Sequence, residues 1–268
     1  MTDLAVKPRR FGAWYVFEHK IQPFRTWAWS LVAMAFGTPL IYLYSFGVGF
    51  ASLLGRQADA TVGGVSYLEF MAPAALLAFV LQAGSEEFYF GTVSGFTWNR
   101  TFYGMRAAPL TATQISAGMV LVALARMLFT SLVYFGIGWL VFGAFPSPWS
   151  WLIIPISLLA ACAFGLPLMA FAASVESDKG QFAMVYRVVI MPLSLFSGTM
   201  FPLDVLPVWL QWIGWISPLW HGSQLTRIVS YGLVEPAWLI VVHLAMLAAL
   251  VVAGWILTVR LMGKRLDG

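Results

Sequence analysis

Long apolar segments alternate with short polar ones along most of the chain. Each apolar segment has roughly the 20 residues that a helix needs to cross a bilayer. In lipid, only a helix or a closed barrel satisfies its own backbone polar groups. The third segment is longer than a bilayer requires, which is typical of a helix that tilts or extends into water. The pattern predicts six spans, over residues 27–49, 70–93, 113–142, 150–173, 182–200 and 237–259.

The stretch between the fifth and sixth spans, residues 201–231, is apolar but broken by Pro202, Pro207 and Pro218. Proline removes a backbone donor and clashes with the preceding helical turn. We therefore expect one or two short helices here, lying in or dipping into the interface, and not a seventh span. The predicted fold class is an all-α integral membrane protein with six transmembrane helices, an N-terminal interfacial helix and a short re-entrant or interfacial helical region before the last span.

Composition supports a membrane protein and excludes an ordinary soluble domain. The chain is 60% hydrophobic and 10% charged, whereas soluble domains have about 25% charged residues. Its single cysteine, Cys162, supports no intrachain disulfide and no metal site. We expect one transmembrane domain over 1–268, made of a cytoplasmic amphipathic segment (1–26), the six-span region (27–260) and a cytoplasmic tail (261–268).

Lysine and arginine are distributed unevenly between the two predicted sides of the membrane. By the positive-inside rule, the side with the excess is cytoplasmic, so both termini are predicted to lie in the cytoplasm. The net charge of +4 does not indicate nucleic-acid binding. The predicted outer side holds Arg56 and Arg227, and the inner side holds Lys7, Arg9, Arg10, Lys20, Arg25, Arg100, Arg106, Lys179, Arg260, Lys264 and Arg265.

The N-terminal segment 8–25 mixes bulky apolar residues with basic ones. Phe11, Trp14, Tyr15 and Phe17 recur at about one helical turn. This spacing favours an amphipathic helix on the inner leaflet, and the alternative is an ordinary basic juxtamembrane anchor.

Three stretches resemble one transporter family. They are "GGVSYLEFMAPA" before span two, "NRTFYGMRAAPLTATQISAG" between spans two and three, and "SLFSGTMFPLDVLPVWLQWIGWISPLWHGSQLTRIV" at the end of span five and beyond. The chain resembles the permeases of the ABC-2 class of ATP-binding-cassette exporters, and within that class the rhizobial nodulation-factor export permease and the daunorubicin-resistance permeases.

The resemblance implies a six-span permease of a bacterial cytoplasmic membrane, paired with a second permease subunit, identical or homologous, and with two cytosolic ABC ATPase subunits. It implies export of a lipid-linked saccharide, a lipid or an amphipathic drug. ATP and Mg²⁺ would bind the partner ATPase, since this chain has no G-x-x-x-x-G-K-[ST] phosphate loop. No cofactor and no enzymatic activity are expected on this chain.

Residues 97–110 are the best candidate for receiving force from an ATPase. The segment is short and lies between two spans, with arginines for charge contact and bulky side chains for apolar contact. The resemblance implies that it is the coupling helix, and the alternative is a plain cytosolic loop. A second loop, 174–181, is either an additional contact or a solvated turn. The coupling residues that we predict are Asn99, Arg100, Thr101, Phe102, Tyr103, Met105 and Arg106.

Glu86 and Glu87 interrupt the second span, and a charge within a membrane normally pairs or faces water. Arg126 in span three and Arg187 in span five are the candidate partners. Neighbours on a helix point about 100° apart, so we do not expect both carboxylates to face one groove. Three readings stay open: a structural ion pair, a gate that responds to ATP, or a proton relay of a secondary transporter.

The predicted outer region is rich in aromatic side chains, which suit the headgroup zone or the outer lid of a transport path. The set is Phe201, Trp209, Trp212, Trp215 and Trp220. His243 is expected to make a hydrogen-bonded helix contact, while His221 and Asp204 form no metal set. No catalytic residues are predicted. Two rivals to an ABC exporter are a proton-coupled transporter that uses Glu86 or Glu87, and a membrane-embedded lipid enzyme.

Overall fold

The residues that the structure describes form a bundle of helices and one β-hairpin, whose two strands have two residues each. A computed structural model describes residues 3–50, 61–62, 64–177 and 179–268; Arg56, predicted to lie on the outer side, is outside these residues. In chain order the elements are α1 (Asp3–Ile21), α2 (Phe24–Tyr42), β1 (Thr61–Val62), β2 (Val65–Ser66), α3 (Tyr67–Val93), α4 (Thr101–Ala107), α5 (Ala112–Leu140), α6 (Ile153–Ser174), α7 (Gln181–Val185), α8 (Met191–Phe196), α9 (Val208–Trp215), α10 (Pro218–Tyr231) and α11 (Ala237–Asp267).

Among the described residues, three π-helical turns and two short 3₁₀ turns extend or join these helices. The π-helical turns continue α2 over Leu43–Phe50, continue α3 over Ser94–Trp98 and join α7 to α8 over Tyr186–Ile190. The 3₁₀ turns are Ser150–Leu152, before α6, and Leu203–Val205, before α9. The strands β1 and β2 pair antiparallel. The prediction of an all-α membrane protein is confirmed.

Within the described residues, five helices are long and apolar enough to cross a membrane. They are Ala28–Gly47, Tyr67–Trp98, Ala112–Leu140, Ser150–Ser174 and Ala237–Asp267. They correspond to five of the six predicted spans, and the last helix runs through the predicted cytoplasmic tail to Asp267.

The remaining predicted span, 182–200, is a shorter apolar helix over Gln181–Phe196. At about 1.5 Å per residue it rises about 24 Å, less than the roughly 30 Å hydrocarbon core. The predicted end at residue 200 is too late, because Gly198 takes a left-handed backbone conformation with φ of 68° and turns the chain.

Two of the spans, α3 and α5, begin with a capping box in which side chains of the first turn bond to backbone amides. Ser66 Oγ accepts a hydrogen bond from the Glu69 amide, and the Glu69 carboxylate accepts one from the Ser66 amide. Thr111 and Gln114 make the same reciprocal pair at the start of α5. Both pairs satisfy amides that have no partner within the helix. The sequence thus defines the beginning of α3 and α5 locally, before any packing.

The centre of the bundle is formed by α3, which packs against α5 and α6, while α11 packs along α6. The N-terminal helix α1 lies on α5. This close approach requires Gly118, where a Cβ would meet the side chain of Val16 and the carbonyl oxygen of Ala13. Val16 is buried, whereas Trp14 and Tyr15 are exposed. The N-terminal segment is therefore a helix with an aromatic face turned away from the bundle.

The predicted proline-broken region forms the short helices α9 and α10, as expected. Pro218 begins α10, and the Ser217 hydroxyl accepts a hydrogen bond from the Leu219 amide there. The helix packs against α3, α6 and α11, so it dips into the bundle. It lies at the end where α11 begins, whereas α4 packs against α11 and α5 at the opposite end.

Candidate functional site

Arg126 of α5 contacts both acidic residues of α3. Its Nη2 lies 2.6 Å from Glu86 Oε2, and its Nη1 lies 3.5 Å from Glu87 Oε2. The Glu87 side chain is 13% exposed and that of Glu86 is 38% exposed. The two carboxylates therefore lie at different depths and share the Arg126 cation. The charge of Glu87 depends more on this pairing, because water solvates Glu87 less than Glu86.

Glu86 lines a cavity beside α2 and Glu87 does not, in line with the expectation that the two carboxylates would not both face one groove. The side chains do diverge, but the planar guanidinium carries donors on two terminal nitrogens and reaches one carboxylate with each. Arg187, the other candidate partner, lies on the π-helical turn Tyr186–Ile190 with an exposed side chain. Within the described residues it makes no ion pair with either glutamate.

Glu86 and Arg126 line a cavity of about 930 Å³ between α2 and the α3–α5 pair. One part of its wall is polar, with Glu18, Gln22, Arg25 and Gln82 beside the ion pair, and the rest is apolar, including Leu31, Val32, Ala35, Phe79 and Phe129. A volume of this size suits a drug-sized molecule or part of a lipid. The arrangement can hold an amphiphile with its polar part at the charges.

The predicted coupling segment folds into the short helix α4, and its buried face is held by its own chain. Phe102 is fully buried, edge-on to Phe96 with ring centroids 5.0 Å apart. Gly95 makes room for it, because a Cβ there would overlap the Phe102 ring. Phe102 therefore anchors α4 to the bundle and is not available to a partner, although the sequence suggested an exposed contact.

Lys20 of α1 connects this helix to the charged cluster. Its Nζ donates a hydrogen bond to Thr101 Oγ1 at 3.1 Å and lies 4.9 Å from the centre of the Phe102 ring. Burial lowers the pKa of Lys20, and the negative charge of Glu87 acts in the opposite direction. The cation is thus placed between α4 and the carboxylates of α3.

The outer face of α4 is accessible. Asn99, Arg100, Tyr103 and Arg106 are exposed, whereas Met105 is half-buried. Arg100, just before the helix, has a left-handed backbone with φ of 53°, a conformation that is uncommon outside glycine. Asn99 Nδ2 donates to Ser94 Oγ at 2.9 Å. The turn that presents this face is consequently ordered by local contacts.

The end of α11 holds α4 from the other side. Arg106 Nη2 lies 2.6 Å from Asp267 Oδ1. The Arg265 guanidinium lies 4.2 Å from the centre of the Phe96 ring and donates to the carbonyl oxygens of Ala173 and Val175, where α6 ends. The chain terminus and the 97–110 segment therefore lie at the same end of the bundle.

Arg227 is buried at the opposite end. It donates to the carbonyl oxygens of Phe70, Gly198 and Thr199, and its guanidinium lies 3.8 Å from the centre of the Phe70 ring. Burial lowers its pKa to about 10, so it stays charged at neutral pH. The residue joins α10 to the start of α3 and to the turn after α8.

The predicted aromatic set divides into two groups in this region. Trp209, Trp212 and Trp215 are exposed, and Phe201 is half-buried. Trp220 instead packs edge-on against the rings of His221 and His243, with each pair of centroids 5.0 Å apart. Trp220 also borders a second cavity, of about 470 Å³, together with Asp204, Gln211 and Arg227.

A buried chain of polar side chains was not identified from the sequence. His221 Nδ1 lies 2.6 Å from His243 Nδ1, and His243 Nε2 lies 3.0 Å from Glu235 Oε2. The hydrogen-bonded helix contact expected for His243 is confirmed, but the partners were not predicted. They are 22 and 8 residues away in the chain, and only the polarity of His243 within an apolar span signalled a partner.

The five long apolar helices of the described residues define a multi-pass membrane protein. Residues 22–231 match the family described as ABC-2 type transporter, and this chain belongs to that family. The resemblance inferred from the three sequence stretches is confirmed. ABC-2 permeases generally work with ATPase subunits, and the chain is accordingly a membrane permease.

Two nodulation proteins match nearly the full length of the chain, and a multidrug permease matches less than half of it. Nodulation protein J of Rhizobium leguminosarum bv. viciae is 29% identical over 89% of this chain and 91% of its own. Nodulation protein J of Neorhizobium galegae is 30% identical over 89% and 90%. The probable multidrug ABC transporter permease YbhR of Escherichia coli K12 is 31% identical over 45% of this chain and 32% of its own. No solved structure matches the chain.

Proposed function

We propose that this chain is the transmembrane permease subunit of an ATP-driven ABC exporter in a bacterial cytoplasmic membrane, with both termini in the cytoplasm. Cytosolic ABC ATPase subunits bind ATP and Mg²⁺, and a second permease, identical or homologous, completes the path. The substrate is amphipathic: a lipid-linked saccharide, a lipid or a drug.

The main support for this proposal is the way α4 is attached to the bundle on one face and exposed on the other. A helix that transmits force must be fixed to its own subunit and exposed to the partner, and α4 has both properties. Phe102, Thr101 and Arg106 tie it to the bundle, and Tyr103 presents an exposed ring. Aromatic anchors with charges at the rim are typical of docking surfaces. Tyr103 is therefore the expected anchor, with Arg100 fixing its register.

The cavity beside α2 supports an amphipathic substrate. Its wall joins a charged part, at Glu86 and Arg126, to an apolar part. An amphiphile held there satisfies both parts at once. Lys20 lies between Glu87 and α4. A movement of α4 on ATP binding would therefore move this ammonium group relative to the carboxylates. The cluster would then act as a gate.

The proton-coupled rival gains little from this geometry. A proton carrier must exchange its proton during transport, whereas Arg126 already engages both carboxylates, at 2.6 Å for Glu86 and 3.5 Å for Glu87. We therefore assign these carboxylates to a charged cluster that opens and closes.

The test is co-purification of the chain with a cytosolic ABC ATPase subunit from the source cells, together with substrate-stimulated ATP hydrolysis. Tyr103→Ala should weaken the complex by about 1–3 kcal/mol and lower the thermal unfolding midpoint less than Phe102→Ala does, because Tyr103 is exposed and Phe102 is buried. Tyr15→Ala is the matched control, because Tyr15 is 41% exposed and Tyr103 is 42% exposed, and it should have no effect. Unchanged binding by Tyr103→Ala would refute the docking role, and the absence of any co-purifying ATPase would refute the exporter.

A further inference from the structure

Glu235, His243 and His221 form a buried chain of hydrogen-bond contacts. This chain has three contacts, whereas two neutral histidines have only two N–H groups to donate. Three contacts join Trp215 O to His221 Nε2, His221 Nδ1 to His243 Nδ1, and His243 Nε2 to Glu235 Oε2, at 2.9, 2.6 and 3.0 Å. Each contact needs one hydrogen between its two atoms. A carbonyl and an ionised carboxylate only accept, so all three hydrogens must come from the imidazoles.

Two neutral imidazoles carry only two N–H groups between them. With two hydrogens, one of the three contacts would set two lone pairs against each other. His243 is fully buried and His221 is 4% exposed, so water cannot relieve that contact at little cost. With one added proton every contact is satisfied, and the imidazolium charge balances that of Glu235.

The geometry points to a binding site for a single proton, formed by Glu235, His243 and His221, whose occupancy holds α10 against the start of α11. The two helices meet at this chain, since His221 lies on α10 and His243 on α11. Glu235, in the connection between them, also accepts a hydrogen bond from Gln224 Nε2 at 2.7 Å.

The surroundings place the added proton at the carboxylate end of the chain. Burial lowers the pKa of His221, the hydrogen bond to the Trp215 carbonyl raises it, and the neighbouring His243 lowers it. Because the carboxylate of Glu235 contacts His243, the added proton is assigned to the contact between His243 and Glu235, and His221 is the neutral Nε2–H tautomer that accepts at Nδ1. Trp220 packs edge-on against both imidazoles.

Few other charges bear on this site. On α10, Arg227 and Tyr231 are the nearest titratable groups, and both interact electrostatically with Glu235. Asp204 lies at the neighbouring cavity with an exposed side chain. Helix α3, which also packs against α10, carries Glu69 in its first turn. Neither α6 nor α9 contains a charged residue or a histidine, and the part of α11 before Arg260 contains only His243. Glu235 is consequently the counterion of the site.

The effect of the proton extends beyond the two helices. Gln224, which binds Glu235, also accepts from Arg227 Nη1 at 3.1 Å, and Arg227 holds the carbonyl oxygens of Gly198 and Thr199. Loss of the proton leaves one hydrogen-bond contact unsatisfied and leaves the Glu235 carboxylate, where this network begins, without its cation. The end of the bundle opposite α4 should then loosen.

The sign of the pH dependence follows from linkage. A proton that the folded chain binds more tightly than the unfolded chain stabilises the folded state. This stability is present while the site holds its proton and is lost as rising pH removes the proton. We therefore expect the unfolding midpoint of the wild-type chain to fall as the solution becomes alkaline.

Glu235→Gln provides the sharpest test. The glutamine amide donates a hydrogen to His243 Nε2 without a charge, its oxygen still accepts from Gln224, and two neutral imidazoles supply the other two hydrogens. This variant should fold and lose the pH-dependent part of its stability. Glu235→Ala cannot supply the hydrogen and should be less stable than Glu235→Gln at every pH.

The experiment combines thermal unfolding of the purified chain with NMR of ¹⁵N-histidine, from about pH 5 to pH 9. The chain has three histidines, so His19→Gln leaves only the buried pair in the spectrum and serves as the control. We expect the buried pair to hold one proton per chain at neutral pH and to release it in alkaline solution, and we expect this bound proton to be absent in Glu235→Gln. A pair that holds no proton at neutral pH, or that keeps its proton in Glu235→Gln, overturns the proposal.

Discussion

Arg126 of α5 bridges Glu86 and Glu87 of α3, at 2.6 Å and 3.5 Å. The two helices are thereby joined by charge at the cavity beside α2. Because Glu87 is less exposed than Glu86, the three residues are not equivalent, and variants of each should differ in a defined order.

Arg126→Gln should be the most damaging change in this cluster. It leaves the two carboxylates without their cation, and breaking a buried pair costs about 3–5 kcal/mol; a quarter of the Arg126 side chain is exposed, so we expect about 3 kcal/mol. Glu86→Gln should cost less than about 1 kcal/mol, since Glu86 is partly solvated. Thermal unfolding in detergent measures both.

The double variant Arg126→Gln/Glu87→Gln should recover part of the loss, because no charge is then left unpaired at the deeper position. Arg187→Gln is the matched control for loss of a membrane arginine and should be close to neutral. Strictly additive losses in the double variant would contradict the pairing.

Phe102→Ala should destabilise the seat of α4 and so behave unlike Tyr103→Ala. Removing a buried phenylalanine costs about 3–5 kcal/mol, so the unfolding midpoint should fall and ATPase coupling should fall with it. Phe102→Leu keeps most of the volume and should cost less. A normal unfolding midpoint for Phe102→Ala would show that the ring does not anchor the helix.

Gly95→Ala tests the same contact between α4 and the bundle by changing the residue against which Phe102 packs. The added methyl group would overlap the Phe102 ring, so α4 must shift, and stimulation of ATP hydrolysis should be lost while the protein remains membrane-inserted. Gly104→Ala is the control, since nothing lies within 4 Å of a Cβ at that position. Equal stimulation in both variants would contradict the tight fit.

Arg227→Lys should destabilise the chain although it keeps the charge. A lysine ammonium cannot reproduce the fixed fork of donors that reaches three carbonyl oxygens, and unsatisfied buried acceptors cost about 1–3 kcal/mol each. Arg187→Lys, at an exposed position, should have no effect. Equal unfolding midpoints for the two variants would show that the Arg227 hydrogen bonds contribute little.

The orientation can be tested with reporters. One fused after Gly268 should report cytoplasm, and one inserted after Gly232 should report the outer side, because lysine and arginine are concentrated at the end of the bundle that contains α4 and the chain terminus. A C-terminal reporter found outside would contradict the proposed topology.

The sequence alone determined the helical membrane class, five of the long spans, the short helices of the proline-broken region and the family. Hydropathy and proline act locally: a run of about 20 apolar residues is a span wherever it packs, and Ser66 and Thr111 begin their helices through contacts within one turn. The family resemblance rests likewise on contiguous stretches of sequence.

Only the tertiary structure decided which polar groups meet. Phe102 and Tyr103 are adjacent aromatic residues, yet one is buried and the other exposed, because α4 turns one face to Gly95 and Phe96. The choice of Arg126 over Arg187, and the joining of His221 to His243 and Glu235, depend on how separate helices pack. A partner many residues away cannot be identified from local pattern, since burial and distance are properties of the packed bundle.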